Sequence, residues 1–546
     1  MRATVLLMLT ATAASLYIIS LFFFQVYIHF SLDSVPSSGN PVTFDPSAYL
    51  GSSSAGQQDI PRLIFGHVSQ SRSGSNDAKN TSGLPVLKMC PESRDVNLPT
   101  ESAGRNRRRS RFPLDDHLHP VFEDCIDLPE AGTTSGSKDE FQLVPEGFVY
   151  SAYLDDRIAK KPEIRIIALL KKLQKKNDVR SALYCHVPRA AEVVSPSHSS
   201  SSSMFQNHSY LFVSVPARFY EMCENHGKDF GGWILSCELP TTVSPPPCSV
   251  YVSDKESLSN PAEPEVVRLT VLRTRPNRKS VDDALPVISD GRIGVCIPPL
   301  FGRFTARILT DFIELTRILG ADHLFFYIPQ QLPAEVSLVL KRFVRLGVVT
   351  TIPWSVPIVD TAIWYNGQLL AINDCLYRSM HSFKYVSFND LDEFVVPHRH
   401  SNWTEMLDAL RMLRPPEVER SSPVHCGYSF KSAFFDPLTG SSPITTAHRV
   451  DYELESNLRT KAFSRVRNKL IVLPALIFEL GIHHMSRPLE VGGCSIIKVE
   501  PEVAFLHHYR ECTTSFDGQM NCVALCHDDS MAPFLFLLKQ RNLRRT

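Results

Sequence analysis

The sequence predicts an α/β protein with an open, mostly parallel sheet and covering helices. From about residue 291, short apolar runs alternate with segments that have a helical apolar period. Glycines stand where two of these helical segments end. Alternation of strands and helices is typical of parallel sheets. The 546 residues, 43% of them hydrophobic, are ample for a large core and favour more than one domain.

The N-terminus predicts a membrane anchor. Residues 3–32 contain no Asp, Glu, Lys or Arg, and residues 5–24 form an apolar run long enough to cross a bilayer as a helix. A cleaved signal peptide would have a shorter apolar run and a small-residue cleavage site. We therefore expect a short cytosolic tail at 1–4, a transmembrane signal-anchor at 5–30 and a lumenal body after it.

Residues 31–139 predict a disordered stem, because Ser, Gly, Pro and Asn dominate and no apolar period persists. A basic run at 105–111 fits a proprotein-convertase site near Arg108, which would release a soluble body, or a solvated basic patch. It would also fit nucleic-acid binding. That role conflicts with a lumenal location, and a formal net charge of zero gives it no support, so no nucleic acid is expected as a partner.

Cysteines and glycosylation sequons agree with a lumenal body. All thirteen cysteines follow the anchor, where disulfides are permitted. The odd number leaves at least one thiol free or paired between chains. Sequons for N-glycosylation begin at Asn80, Asn207 and Asn402.

Residues 140–290 predict a β-rich accessory region of the lumenal body. Short apolar runs alternate with proline-rich turns, and a serine-rich insert at 195–203 interrupts them. Disulfides are expected to staple this region, and the candidate cysteines are Cys185, Cys223, Cys237 and Cys248.

The elements of the region 291–515 follow in alternation. Strands are predicted at residues 293–297, 323–328, 348–354 and 385–389. Helices are predicted at residues 305–319, 333–346 and 369–383. Ligands of such sheets bind beyond the carboxyl ends of the strands. Residues 516–546 are expected to be a C-terminal extension.

Three carboxylates follow the fourth strand of this region: Asp390, Asp392 and Glu393. In an extended segment the first two would point the same way, roughly 6–7 Å apart. Such like charges need a counter-charge, and a Mg²⁺ or Mn²⁺ ion bridging to a phosphate supplies one. The alternative is a solvated acidic turn between two strands. The position at the carboxyl end of a strand favours a ligand site.

Other motifs are weaker signals. The histidine pairs at 483–484 and 507–508 each follow apolar residues. His483 and His508 are candidate metal ligands, although a hydrogen-bonded structural role fits each of them as well. Cys522, Cys526 and His527 permit a zinc site, but a disulfide is expected there instead. The sequence contains no Walker A loop, no G-x-G-x-x-G and no G-x-S-x-G, which disfavours a P-loop, a classical dinucleotide site and a hydrolase elbow.

Eight stretches together resemble glycosyltransferase family 92, in the order in which that family has them. They are VYSAYLDDR at 149–157, VCIPPLFG at 295–302, GADH at 320–323, GQLLAINDCLYR at 367–378, FNDLDEF at 388–394, KLIVLP at 469–474, GIH at 481–483 and HYR at 508–510. They span about residues 145–512. The anchor and stem also match the type II plan of Golgi glycosyltransferases.

The resemblance implies a GT-A-like, Rossmann-type fold and a UDP-sugar donor, with Mn²⁺ as the usual ion. Relatives transfer galactose in β linkage, so it implies transfer from UDP-galactose onto fucose or galactose of an N-glycan in the Golgi. The protein would then be a single-pass membrane protein with a lumenal catalytic body.

The resemblance also implies roles for individual residues. Asp392 and His508 would bind the metal, and Asp390 would lie near the ribose or the metal. Arg510 would face the diphosphate. Two further residues would support this set: Glu393 and His483. Two helix residues would contact the donor or else form a structural ion pair: Asp374 and Arg378.

An inverting transfer needs a base near the acceptor hydroxyl. Four carboxylates are candidates, and the sequence does not choose among them: Asp451, Glu453, Glu479 and Glu490. Two other functions stay open, a non-catalytic glycan-binding protein on the same fold and a metal-dependent phosphoesterase. The intact Asp390-x-Asp392 argues against the first, and the lack of a denser His/Asp cluster argues against the second.

Overall fold

A computed structural model describes much of the chain after residue 138. The described residues are 139–158, 161–173, 180–189, 211–241, 243, 246–274, 291–302, 304–412, 424–435, 453–490, 493–510, 512 and 522–543. The expected anchor and stem, the sequons at Asn80 and Asn207 and the basic run near Arg108 lie outside them. Among the described residues, no helix has the length and apolar character to cross a bilayer. The chain divides into two units, Met1–Asp59 and Ile60–Thr546, and all described residues belong to the second.

A nine-stranded, mostly antiparallel sheet occupies the predicted accessory region. Its strands are β1 (Gln142–Val144), β2 (Gly147–Asp155), β3 (Glu163–Lys171), β4 (Tyr184–Arg189), β5 (Leu211–Pro216), β6 (Arg218–Glu221), β7 (Phe230–Glu238), β8 (Ser249–Ser253) and β9 (Val267–Arg273). Their order is β5-β4-β8-β9-β2-β3-β7-β6, with β1 beside β2. Strands β2, β3 and β7 are buried along almost their whole length, so both faces of the sheet centre are covered.

The disulfides of this region differ from the expectation at one position. Cys185 and Cys237 form a disulfide across the core of the sheet, and Cys248 is also disulfide-bonded. Cys223 is free and exposed, so the prediction that it staples the region is wrong. It lies in the turn after β6, where its thiol faces the carboxylate of Glu479 at 3.3 Å rather than the core of the sheet.

A seven-stranded sheet follows, and its first half is parallel. Its strands are β10 (Ile293–Ile297), β11 (His323–Ile328), β12 (Val349–Pro353), β13 (Tyr385–Phe388), β15 (Val424–Phe430), β18 (Lys469–Val472) and β21 (Cys494–Lys498). The order is β12-β11-β10-β13-β18-β15-β21. Strands β10 to β13 pair in parallel, whereas β18 is antiparallel to both of its neighbours. The predicted open, largely parallel sheet is confirmed for the four strands that were predicted.

Helices connect the parallel strands, as the periodicity predicts. They are α1 (Ala306–Leu319), α2 (Ala334–Arg345) and α3 (Gln368–Ser379). Thr305 caps the start of α1 through its hydroxyl, and Gly320, at φ 127°, ends it in a conformation that favours glycine. Helix α3 ends at Ser379 rather than at residue 383, and in the turn that follows the amides of Ser382 and Phe383 both donate to the Ser379 carbonyl.

Smaller elements complete the body. They are β14 (Glu393–Pro397), α4 (Trp403–Met412), β16 (Ser432–Phe434), β17 (Leu458–Thr460), β19 (Ile477–Leu480), β20 (Met485–Pro488), β22 (Ala504–His508), β23 (Leu525–His527) and α5 (Ala532–Leu543). Strands β14, β22 and β16 form a three-stranded sheet, and β17 pairs with β23 and β19 with β20. Part of the expected C-terminal extension is therefore integral to the fold: β23 pairs with β17, and Phe534 of α5 lies in the core.

The strand order of the seven-stranded sheet contains a topological switch point. From β10 the chain proceeds outward through β11 to β12 and then returns to the other side of β10 to form β13. The connection that leaves β10 and the connection that enters β13 therefore run in opposite directions. The carboxyl ends of these two neighbouring strands lie at a topological switch point. Ligands of open α/β sheets bind at such points. The acidic segment after β13 begins there.

Candidate functional site

The three carboxylates lie on a closed turn after β13. The backbone amide of Glu393 donates to the carbonyl of Asp390 at 3.2 Å, and the amide of Asp390 donates to Glu393 Oε2 at 3.0 Å. The expectation that Asp390 and Asp392 lie in an extended segment is therefore wrong. The turn reverses the chain from β13 into β14, so its geometry, not the strand pleat, sets the positions of the carboxylates.

His508 faces this turn from the neighbouring strand. Strands β14 and β22 are antiparallel, and Glu393 lies directly opposite His508. His508 Nε2 is 3.4 Å from Asp392 Oδ2, and its Nδ1 is 3.5 Å from Glu393 Oε1. The amide of Tyr509 donates to the Asp392 carbonyl at 2.8 Å and holds the two segments in register. Residues more than a hundred positions apart in the sequence thus meet as the resemblance implies.

Lys469 completes the cluster, and its role was not predicted. It begins β18, which pairs with β13, and its Nζ lies 3.1 Å from Glu393 Oε2 and 3.2 Å from Asp390 Oδ2. Burial would lower the pKa of Lys469, but the two carboxylates raise it above its ordinary value. A lysine that opens an apolar strand was the available signal, because such a residue needs a partner when it is buried.

The carboxylates differ in exposure. Asp390 and Asp392 have 38% and 40% of their side chains exposed, whereas Glu393 and Lys469 have 1% each. Burial raises the pKa of Glu393. Burial would also raise the pKa of Asp392, but His508 and then Arg510 outweigh it and lower that pKa. The two aspartates are thus the reachable ligands, and Glu393 with Lys469 forms a layer behind them.

His483 lies beside the cluster on the turn after β19. Its Nδ1 is 3.1 Å from the Asn468 carbonyl, next to Lys469 in the chain. Burial and then the charge of Lys469 lower the pKa of His483 to about 3. The imidazole is therefore neutral near pH 7. With Nδ1 donating to the carbonyl, Nε2 is left as an acceptor.

The donor set fits a divalent cation. Carboxylate oxygens suit Mg²⁺ and Mn²⁺, and histidine is a common metal ligand; Oδ2 of Asp392 and Nε2 of His508 lie 3.4 Å apart. The Nδ1 atom of His508 is buried without a hydrogen bond. Among the described residues, no group of three or more His, Cys, Asp and Glu side chains is arranged to hold a metal ion. An ion held by Asp392 and His508 alone would take its remaining ligands from a substrate or from water.

Asp374 and Arg378 form a structural ion pair on α3. Arg378 Nε donates to Asp374 Oδ2 at 3.0 Å, and both side chains are buried. Three hydroxyls also donate to the Asp374 carboxylate, those of Ser151 at 2.5 Å, Tyr153 at 2.6 Å and Tyr327 at 2.5 Å. Of the two interpretations left open by the sequence, this geometry supports the structural one. We do not assign either residue a donor contact.

Of the four candidate bases, two have side chains in the described part of the chain, Glu479 and Glu490. Glu479 is buried and accepts hydrogen bonds from Tyr220 Oη at 2.6 Å and from the Cys223 amide at 2.8 Å, which is a structural arrangement. Glu490 is exposed on the turn after β20. Asp451 and the side chain of Glu453 lie outside the described part of the chain. No base is assigned.

Two further expectations concern cysteines and glycosylation. Cys522 forms a disulfide with Cys512, and Cys526 is disulfide-bonded, so the disulfide interpretation of this segment is confirmed over a zinc site. Asn402 lies at the start of α4, where its Oδ1 accepts from the Glu405 amide at 3.0 Å. This hydrogen bond does not test whether Asn402 is glycosylated, and its glycosylation stays a prediction.

Comparison with known proteins identifies relatives. Residues 291–533 match the model of Glycosyltransferase family 92. A protein named "Beta-1,4-galactosyltransferase galt-1" from Caenorhabditis elegans is 28% identical over 313 residues, which are 55% of this chain and 65% of that protein. Two Arabidopsis thaliana proteins named "Galactan beta-1,4-galactosyltransferase", GALS2 and GALS3, are 24% and 27% identical over 222 residues, 39% of this chain.

These matches are partial. The aligned part of this chain spans 65% of the Caenorhabditis protein and 39% and 40% of the two Arabidopsis proteins, which is less than two thirds of each. A solved structure titled "Crystal Structure of a Mycobacterial Protein" aligns at 14% identity with a TM-score of 0.21, over 39% of this chain and 66% of that one. An overlap this low carries no argument about the fold.

Proposed function

We propose that this chain, whose residues 291–533 match the model of Glycosyltransferase family 92, transfers galactose from UDP-galactose, in β linkage, onto a glycan acceptor. The observation that carries the proposal is the pair Asp392 and His508, 3.4 Å apart, at the carboxyl end of β13. The names of the relatives, all β-1,4-galactosyltransferases, support galactose as the sugar.

Asp392 and His508 would hold a divalent cation, with Mn²⁺ as the expected ion. When bound, such a cation neutralises the charge that develops on a departing diphosphate. Arg510 follows His508 by two residues, and its charge already lowers the pKa of Asp392. We assign its guanidinium to the diphosphate oxygens, for which its fork of N–H donors is suited.

Lys469 and Glu393 set the charge of the site. Lys469 offsets part of the negative charge of the three carboxylates, and a divalent cation would offset more of it. Because Lys469 already pairs with the carboxylate of Asp390, Asp392 is the better metal ligand. Asp390 would then contact the ribose or the outer shell of the metal. Glu393 holds the turn through the Asp390 amide.

The cellular setting and the acceptor belong to the same proposal. The apolar run at 5–24, the stem and the later cysteines support a single-pass, type II protein with its catalytic body in the Golgi lumen. The proposed acceptor is fucose or galactose of an N-glycan.

The experiment is a donor screen with the purified full-length chain. UDP-galactose and other UDP-sugars are incubated with an array of N-glycans, with Mn²⁺ and with a chelator. The proposal predicts galactose transfer, with release of UDP, that is lost with the chelator.

Other outcomes of the screen would contradict the proposal. Glycan binding without turnover of any UDP-sugar would favour the non-catalytic glycan-binding alternative. Cleavage of the diphosphate without sugar transfer would favour a phosphoesterase. Transfer that is unaffected by the chelator would refute the metal assignment alone.

A further inference from the structure

Four aromatic rings, none of them a member of the acidic cluster, form a continuous row. Phe301 meets Tyr365 edge-to-face at 5.5 Å between ring centroids. Tyr365 lies 4.8 Å from Trp364, and Trp364 stacks on His226 at 4.2 Å. Phe301 and Tyr365 each have 42% of their surface exposed. Large rings are usually buried, so a row with two open rings needs an explanation.

The backbone under this row is held in an uncommon conformation. Tyr365, Asn366 and Gly367 have φ values of 42°, 52° and 75°. Two of them are not glycine, and such residues rarely adopt the left-handed region. Trp354 Nε1 donates to the Asn366 carbonyl at 2.8 Å, and the Gly367 amide donates to the Trp364 carbonyl at 3.0 Å. The fold thus imposes a turn that projects Tyr365 outward beside Phe301.

The row connects the ligand edge of the parallel sheet with the accessory sheet. Phe301 follows β10, and Tyr365 lies between β12 and α3, so both are at the carboxyl edge where the acidic turn lies. His226 belongs to the turn between β6 and β7. Glu224 of that turn accepts the backbone amide of Ile482, the residue before His483. The accessory sheet therefore contacts both the row and the segment beside the cluster.

The side chains of the row are suited to bind a ligand with an uncharged ring and a polar rim. Tyr365, Trp364 and His226 each combine an apolar ring face with a polar edge. Burial lowers the pKa of His226, so its ring adds no charge near pH 7. A hexose has an apolar face of C–H groups and a rim of hydroxyls, which matches such rings. A row of several rings also exceeds what one nucleobase needs.

We propose that this aromatic row, led by Phe301 and Tyr365, binds hexose rings of the acceptor glycan. The inference rests on the proposed function, because it presumes that the acceptor is a glycan. The inference adds to the proposed function the residues that select the acceptor. It also gives the accessory sheet a role in binding the acceptor, through His226.

Binding without turnover tests this inference. The affinity of the full-length chain for a labelled biantennary N-glycan ending in galactose is measured in the absence of donor, and the affinity for UDP with Mn²⁺ is measured separately. Tyr365→Leu and Phe301→Leu are each expected to weaken glycan binding about 5- to 10-fold, the size typical of a lost stacking contact. UDP binding should stay unchanged. Tyr365→Phe, which keeps the ring, should retain most of the affinity for the glycan.

The matched control is Phe536→Leu, since Phe536 is an exposed phenylalanine on α5, away from the row; it should change neither affinity. Unchanged glycan binding in Tyr365→Leu and Phe301→Leu would overturn the inference, as would a wild-type chain that binds no N-glycan on an array. A loss of UDP affinity in these variants would assign the row to the nucleobase and also overturn it. Because these readouts need no catalysis, they are independent of whether UDP-galactose is turned over.

Discussion

Lys469 is the residue that most changes the interpretation of the acidic turn. Its ammonium lies between two carboxylates of the turn at 3.1 and 3.2 Å, and it is buried with Glu393. Part of the counter-charge is therefore built into the protein. A buried ion pair adds little stability over an apolar substitute, but breaking one partner leaves an uncompensated charge. Lys469 thus holds the turn ready for its ligand.

Replacement of this lysine should be costly to stability. We expect Lys469→Met to lower the free energy of unfolding by ~3–5 kcal/mol, because Glu393 would be left buried and unpaired. Thermal or denaturant unfolding measures this loss. The double variant Lys469→Met/Glu393→Gln should recover part of it, since the two residues form one pair.

Lys461 provides the control, because it is an exposed lysine on the segment that leads to β18; Lys461→Met should change stability by less than about 0.5 kcal/mol. Equal effects of Lys461→Met and Lys469→Met would contradict the role assigned to the buried lysine.

At the residue scale, the sequence predicts which residues form the site better than it predicts how they are arranged. The carboxyl end of a strand was enough to single out Asp390 and Asp392. The extended conformation expected for them was wrong, because one backbone hydrogen bond closes a turn that the alternation of side chains cannot predict. Lys469 was missed because its partners lie about eighty positions earlier, and its contacts exist only once β18 pairs with β13.

At the element scale, a buried ion pair links the segment that follows β23 to β17. Arg459 Nε on β17 donates to Asp528 Oδ2 at 2.7 Å, and both side chains are inaccessible. Asp528 Oδ1 also accepts from Ser530 Oγ at 2.5 Å, and Ser530 Oγ is 3.4 Å from His507 Nε2. The C-terminal segment therefore buttresses the strand that carries His508.

This fastening should depend on pH. Burial would raise the pKa of Asp528, but His507 and Arg459 lower it to about 2, below roughly 3.9 for an unfolded aspartate. At a pH between these two pKa values, Asp528 is mostly protonated in the unfolded chain but still ionised in the folded protein. The contribution of Asp528 to stability is thus fully present above about pH 5 and is lost as the pH falls towards about 2.

The variant Asp528→Asn tests this pH dependence. We expect it to be less stable than the wild type by ~3–5 kcal/mol at pH 7, and the difference should shrink by ~2–3 kcal/mol on acidification to about pH 2. Unfolding curves of both proteins across this pH range measure the difference. The neighbouring exposed Asp529 supplies the control variant Asp529→Asn, for which little effect is expected at any pH. A difference between Asp528→Asn and the wild type that does not vary with pH would contradict the assignment.

Individual elements were largely predictable where the apolar period was strong. Helix α1 matches its prediction within one residue because Thr305 and Gly320 mark its two ends. The pairing of β23 with β17 was not predictable, since three-residue strands carry little periodic signal and their partners lie far apart in the chain. The C-terminal segment was therefore interpreted as an extension, although it packs into the core.

At the scale of the whole molecule, α3 is enclosed between two sheets. All twelve of its residues are buried, and its Asp374 accepts hydroxyl hydrogen bonds from both β2 and β11. A helix that is buried on every side cannot stand at a surface. The accessory sheet is therefore part of the same folding unit as the parallel sheet.

The consequence is a prediction about fragments. The fragment 291–546, which contains the whole matched family region, should not fold alone, because one side of α3 would be exposed and Asp374 would lose two hydroxyl donors. The fragment 139–546 should fold. Circular dichroism and thermal unfolding of the two fragments check this. A cooperative unfolding transition of the shorter fragment would show that the accessory sheet is dispensable.

The sequence could predict two regions but not their dependence on each other. The composition and spacing of 140–290 indicated strands, and those of 291–515 indicated alternation. The contacts of Ser151 and Tyr153 with Asp374 join positions more than 220 residues apart, and no local pattern encodes such pairs. For the same reason the apolar period of α3 could not predict that all twelve of its residues are buried.

The central claim is that Asp392 holds the divalent cation at the donor site. The most direct measurement is the affinity for Mn²⁺ in the presence of UDP, by calorimetry, for the wild type, Asp392→Asn and the control Asp408→Asn, an exposed aspartate on α4. We predict that Asp392→Asn weakens Mn²⁺ binding by at least about 100-fold and that the control does not. Wild-type Mn²⁺ affinity in Asp392→Asn would contradict the claim.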